Sequence, residues 1–137
     1  MDRKKVSLAA FGIILVVAVT LVYYTQVHLQ RPQIGYGDVT VGDAKKLIES
    51  RPNLVILDVR TQEEYDEGHI EGALLIPISE LEDRIDEFSK NSEILVYCRT
   101  GNRSSNAVNV LTKNGFTKIF HMADGITAWI KAGYDIV

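Results

Sequence analysis

One cysteine stands in the 137-residue sequence, and its neighbours are of types that would change its chemistry. The segment reads Tyr97-Cys98-Arg99-Thr100-Gly101-Asn102-Arg103-Ser104. A short apolar run, Ile94 to Tyr97, leads into it, and a helical pattern leads out. Gly101 and Asn102 tolerate the positive φ that a tightly curled loop demands. Such a loop turns successive backbone N–H groups toward its centre and makes a nest for an anion. The helix opening near Arg103 or Ser104 adds unpaired N–H groups and the positive end of its dipole. Arg99 and Arg103 add two full positive charges. All of this favours thiolate over thiol, and the thiolate is the nucleophile. A free thiol titrates near pH ~8.5, and surroundings of this kind lower that by one or more units. Outside such a context a lone cysteine is a small buried hydrophobe. Here Cys98 is expected to be a nucleophile, with Arg99, Thr100, Gly101, Asn102 and Arg103 forming an anion cradle and Ser104 supporting it.

A single cysteine also excludes an intrachain disulfide and any CxxC zinc or dithiol motif. Asp58 and Arg60 follow an apolar run and could assist chemistry, although a structural ion pair is the simpler expectation. His69 is expected to bond backbone and fix a turn. His28 and His121 are expected to be structural or solvated, and Trp129 to lie in the core.

Positioning a loop of this kind requires strands and helices in alternation. Thr40, with Asp43 three residues on, reads as a helix N-cap, followed by Ala44, Leu47 and Ile48 at helical spacing. Leu54 to Leu57, Ala73 to Ile76 and Ile94 to Tyr97 are short, wholly apolar runs, the pattern of strands buried on both faces. Ser79 and Glu82 form a capping-box pair that predicts a helix through about Phe88, with the acidic residues from Glu80 to Glu87 on its wet face. Ser104 to Asn114 is helical and stops at Gly115. Lys118 to Phe120 suggests a further strand, and Gly125 to Lys131 a last helix. The expected fold class is therefore α/β, an open, mainly parallel sheet flanked by helices on both faces. In such sheets ligands bind beyond the carboxyl ends of the strands, where Cys98 falls.

Charge narrows the partners. The net charge is −3, and Arg3, Lys4 and Lys5 against Asp2 make the first five residues +2, so the rest carries −5. Nucleic acid is a poor partner for so acidic a chain. From Val6 to Gln30 no Asp, Glu, Lys or Arg occurs. The 19 residues from Val6 to Tyr24, as a helix rising about 1.5 Å per residue, nearly match a hydrocarbon core of roughly 30 Å. No small-x-small cleavage site follows Tyr24, which favours a retained anchor over a signal peptide. The expected organisation is a cytoplasmic N-terminus at 1–5, a transmembrane helix at 6–27, a linker at 28–37 and a domain at 38–137. Basic residues before the segment, against only Arg31 close after it, put the domain on the extracytoplasmic side of a single-pass cell-membrane protein.

Several pieces in order then carry a resemblance. They are Asp58-Val59-Arg60, Glu63-Glu64-Tyr65, Gly68-His69-Ile70-Glu71-Gly72-Ala73, Ile76-Pro77, and Tyr97-Cys98 with Thr100-Gly101 and Arg103-Ser104. Leu111, Gly115-Phe116 and Gly125-Ile126 with Trp129 complete the set. From Val39 to Val137 the chain resembles single-domain rhodanese-like (thiosulfate) sulfurtransferases. That resemblance implies transfer of sulfane sulfur from a small anionic donor such as thiosulfate, through a Cys98 persulfide, to cyanide, a thiol or a protein acceptor. It implies that Arg99 and Arg103 meet the donor's anionic end, and that no cofactor or metal takes part. Asp124 departs from the pattern, standing where many relatives have glycine. Two other readings compete: a membrane-bound persulfide carrier or sensor, and an arsenate reductase or phosphatase. The latter need a wider Cys-x5-Arg cradle, whereas this chain has Cys-x4-Arg.

Overall fold

The computed structural model describes residues 3–29 and 34–137, with side chains for 12–26 and 34–137. The chain divides into two units, residues 1–32 and 33–137. The first contains a single helix, α1 (Arg3–Leu29), whose described side chains, among them Ile13, Leu15, Val19 and Tyr23, are exposed. Among the described residues no helix is long and apolar enough to cross a membrane. The span expected at 6–27 is therefore not supported by them. The side chains of residues 6–11 and 27 lie outside the described set.

The second unit is built on a five-stranded sheet, all parallel, in the order β1-β5-β4-β2-β3. Its elements are β1 (Gly37–Val39), α2 (Val41–Ser50), β2 (Val55–Asp58), α3 (Gln62–Asp66), β3 (Leu74–Leu75), β4 (Ile94–Tyr97), α4 (Asn102–Lys113), β5 (Ile119–Met122) and α5 (Gly125–Lys131). Alternation along β4 divides the core. Ile94, Val96 and Cys98 pack on one face with Ala107 and Leu111 of α4, and Leu81, Ile85 and Phe88 join them. Leu95 and Tyr97 pack on the other with Ala44 and Leu47 of α2 and Ile126 and Trp129 of α5. Because both faces are covered, the central strands read as continuous apolar runs rather than alternating ones.

The cap at Thr40 forms as expected, its hydroxyl accepting the Asp43 N–H at 3.1 Å. Two short elements lack an apolar run and escape the sequence pattern: β1, at the join between linker and domain, and α3. Thr61 and Glu64 close a reciprocal capping box over α3.

One expected helix does not form. From Ile78 the chain runs through successive turns, with only a 3₁₀ turn at Ile85–Glu87. The Glu80 N–H reaches back to the Pro77 carbonyl, so the chain tightens at once into a three-residue turn. Ile78 gives its own N–H to the carbonyl of Val59, just past the end of β2. Leu81, Ile85 and Phe88 are buried at spacings of four and three, which is why the pattern looks helical. The acidic residues lie on turns, where Arg84 pairs with Glu80 and Glu87.

Candidate active site

Cys98 follows β4 directly and is 1% exposed. Its loop is shaped from behind by α5. The Ile126 N–H donates to the Cys98 carbonyl at 2.9 Å, and the Thr127 N–H to the Arg99 carbonyl at 3.2 Å. Gly125 permits this approach: it has φ +67°, and a Cβ there would lie 2.3 Å from the Arg99 oxygen. Gly101, with φ +100°, turns the loop into α4, and a Cβ there would lie 2.0 Å from the Ala123 oxygen. With the carbonyls of Cys98 and Arg99 held by α5, N–H groups of the loop turn toward the sulfur. Gly101 N–H is 3.1 Å from Sγ and the Ser104 hydroxyl 3.4 Å. Burial pushes the thiol up, but the Ser104 hydroxyl and the N–H groups of Ser104, Thr100 and Gly101 outweigh it. The net result lies below the ordinary thiol value, so Cys98 is biased toward thiolate although buried.

The arginines divide by their partners. Arg60 is buried and grips the fully buried Asp58 through Nε and a terminal nitrogen at 2.7–3.0 Å, and donates to the Gly68 carbonyl at 2.8 Å. Arg103 is held by Glu64 of α3 at 2.5 and 2.8 Å. That bridge holds the Glu64 carboxyl down to about 2, chiefly through the Arg103 bond. Arg99 is exposed and, among the described residues, makes no ion pair. It lines a cleft of about 280 Å³ together with Arg60, Glu64, Gly68, Ile126 and Ile130. Asn102 and Thr100 are exposed at the loop's outer side. Ser104 is buried against the sulfur. Among the described residues no group of three His, Cys, Asp or Glu is placed to hold a metal ion.

Comparison with known proteins decides the family. A model of the rhodanese-like domain matches residues 40–132. The chain belongs to the rhodanese-like domain family. It is 37% identical over 92 residues to the putative sulfur carrier protein YrkF of Bacillus subtilis, covering 67% of this chain. It spans 50% of that relative's length. It is 31% identical over 94 residues to thiosulfate sulfurtransferase GlpE of Coxiella burnetii, covering 69% of this chain and 87% of that one. A rhodanese-related protein of Thermoplasma volcanium superposes with a TM-score of 0.66 at 34% identity, over 74% of this chain and 98% of its own.

Against that rhodanese-like background three groups around Cys98 were not foreseen from the residues. Glu64 ties α3 to α4 through Arg103. The Thr61-x-x-Glu64 capping pattern was the readable trace of α3. His121 lies on β5 with its Nε2 2.9 Å from the Ser104 hydroxyl, and its Nδ1 2.8 Å from an Asp38 oxygen on β1. It was expected to be structural or solvated, and no local pattern links it to Ser104 or to Asp38, 83 residues away. The other expected placements are simple. Asp58 and Arg60 form their ion pair, and His69 Nδ1 lies 3.0 Å from the Tyr65 carbonyl. Trp129 is core, and its indole N–H donates to the Asp135 carbonyl at 2.9 Å. Asp124 is exposed and caps no N–H of α5.

Proposed function

We propose that this protein is a sulfurtransferase that carries sulfane sulfur on Cys98. The observation that supports it most is the ring of N–H and O–H donors around a buried sulfur, which stabilises negative charge on that atom and on a second sulfur bonded to it. The Cys98 thiolate attacks the outer sulfur of an anionic donor such as thiosulfate. A new S–S bond forms, the donor's S–S bond breaks, and sulfite leaves with the bonding electron pair. Cyanide or a thiolate then forms a bond to the outer sulfur, the Sγ–S bond of the persulfide breaks, and its bonding pair returns to Cys98 Sγ as thiolate. No external oxidant or cofactor enters either step. Arg99 faces the donor's anionic end at the cleft, while Arg103 shapes the loop through Glu64. The name of the Coxiella relative supports thiosulfate as donor; that of the Bacillus relative, a putative sulfur carrier protein, supports carriage of sulfur on the protein.

Residues 6–27 are proposed as a membrane anchor, on the absence of charge there and the length of the apolar run, with the domain on the extracytoplasmic side. Alkaline extraction of membranes and a reporter fused after Val137 test this. Release of the protein, or a reporter active in the cytoplasm, refutes anchor and topology respectively.

The sulfur step is tested by incubating the full chain with thiosulfate and measuring its intact mass beside Cys98→Ser. The expected result is a gain of one sulfur atom, reversed by cyanide and absent in the variant. No gain with thiosulfate, polysulfide or an organic persulfide would refute the reading.

A further inference from the structure

A continuous line of hydrogen-bonding atoms runs from the buried sulfur to solvent. Cys98 Sγ is 3.4 Å from Ser104 Oγ, Ser104 Oγ is 2.9 Å from His121 Nε2, and His121 Nδ1 is 2.8 Å from Asp38 Oδ1. The first three groups are buried, whereas the Asp38 side chain is 77% exposed. The fold enforces the line. Asp38 and His121 are direct partners across the β1–β5 pair, and His121 points to the face of the sheet on which Cys98 and α4 pack.

Proton counting shows what such a line can do. Ser104 has one hydroxyl hydrogen and three acceptors in reach: Sγ, Nε2 and the Gly101 carbonyl at 3.0 Å. When Cys98 is a thiol and His121 is neutral with its proton on Nδ1, the imidazole donates to Asp38. Ser104 then donates to Nε2, and the thiol donates to Ser104. Move one proton along the chain and every bond survives, the two at Ser104 with reversed sense: the thiol proton passes to Ser104 Oγ while the Ser104 proton passes to Nε2. The products are a thiolate that accepts from Ser104 and an imidazolium that donates to both Ser104 and Asp38. No oxidant or water is needed, and no donor is left without an acceptor.

We propose that His121 is the proton acceptor for Cys98, acting through the Ser104 hydroxyl, with Asp38 orienting the imidazole and balancing its charge. Because they act through Ser104, His121 and Asp38 are positioning residues, arranged as the third and fourth members of a relay of the nucleophile–base–carboxylate kind. Histidine suits the task because its charge changes near neutrality. The groups that face the relay are few. On β1 Asp38 meets the imidazole, and on α4 Ser104 meets it. β4 pairs with β5 at this point through Val96, which carries no charge. Arg103 of α4 and the exposed Arg99 are the cations of the cysteine loop, and Arg103 interacts electrostatically with the thiolate. The proposal rests on the nucleophilic role of Cys98, and extends it to where the proton goes.

The test uses the full chain and its single cysteine. The rate of iodoacetamide alkylation is followed against pH for wild type, His121→Gln, Asp38→Asn and Asp38→Glu. Without the imidazole the alkylation midpoint moves up by about one pH unit, a roughly fivefold loss of rate at the wild-type midpoint and about tenfold well below it. Asp38→Asn moves it in the same direction by about half as much, and Asp38→Glu restores the wild-type profile. Asp38 is exposed, so its variants carry the test even where His121→Gln unfolds. Profiles of His121→Gln and Asp38→Asn that superimpose on wild type overturn the relay, because Ser104 then merely bonds the Gly101 carbonyl. Alkylation needs no sulfur donor. A shifted profile in a protein that forms no persulfide therefore sinks sulfur transfer and keeps the relay, whereas persulfide formation with unshifted profiles sinks the relay alone.

Discussion

Replacing Glu64 by glutamine isolates the charge that holds Arg103. The amide oxygen can still accept the Thr61 N–H, which reaches Glu64 Oε2 at 3.1 Å, so the capping box over α3 survives. What disappears is the paired charge. The fall of the Glu64 carboxyl from 4.5 to about 2 is worth at most about 3.4 kcal/mol, at about 1.4 kcal/mol per pH unit. Water still reaches the pair, since the Arg103 side chain is 32% exposed and that of Glu64 17%. Screening and the hydration open to a freed Arg103 reduce the expected loss to about 2 kcal/mol at neutral pH. The sign with pH follows from a depressed carboxylate. Its contribution is fully present above about pH 4.5 and is lost as pH falls through about 2. Urea unfolding of wild type and Glu64→Gln, at neutral pH and at steps down into acid, measures the difference directly. Asp43, Glu63 and Glu87 are also held low, but they titrate in both proteins and cancel. The two stabilities should converge in acid. Equal stability at neutral pH, or a gap that persists below about pH 2, would refute the assignment of Arg103 to a structural bridge.

Three further changes probe other parts of the site. Gly125→Ala puts a Cβ 2.3 Å from the Arg99 carbonyl at a positive φ; it should cost about 2–3 kcal/mol in denaturant unfolding and slow Cys98 alkylation at least tenfold. Asp58→Asn strands the buried Arg60 and should cost about 3–5 kcal/mol, while Asp58→Asn combined with Arg60→Met costs less than the single change. Equal losses in denaturant titrations would count against a desolvated pair. Tyr97→Phe removes the oxygen that accepts the Ile70 N–H at 3.2 Å and should cost about 1–2 kcal/mol by thermal unfolding, with alkylation unchanged.

The readable parts of this protein are those governed by near neighbours. Ile94 to Tyr97 is apolar without interruption because helices cover both faces of the sheet, and the observed β4 has those bounds. Gly101 was legible as a turn residue, and it proves to be a point of backbone contact. The parts that escaped depend on what lies across the fold. Leu81, Ile85 and Phe88 have the spacing of a helix but follow turns, since burial at spacings of three and four is compatible with either. Arg103 looked free to meet a donor because nothing in its own segment supplies an anion; Glu64 arrives from 39 residues away. His121 looked incidental for the same reason, its partners coming from β1 and α4.

The order of the strands also bears on when this thiol becomes reactive. β4 is flanked by β2, which precedes it in the chain, and by β5, which follows. The loop is pinned by α5, later still, and β5 must also capture β1 from the opposite end of the domain. These are contacts of long sequence separation, which form late and slowly in folding. A nascent or half-folded chain therefore presents Cys98 as an ordinary thiol in an unshaped loop. Activation arrives with the closing of the sheet, so electrophiles and oxidants meet a sluggish sulfur during the period when the chain is most open to them.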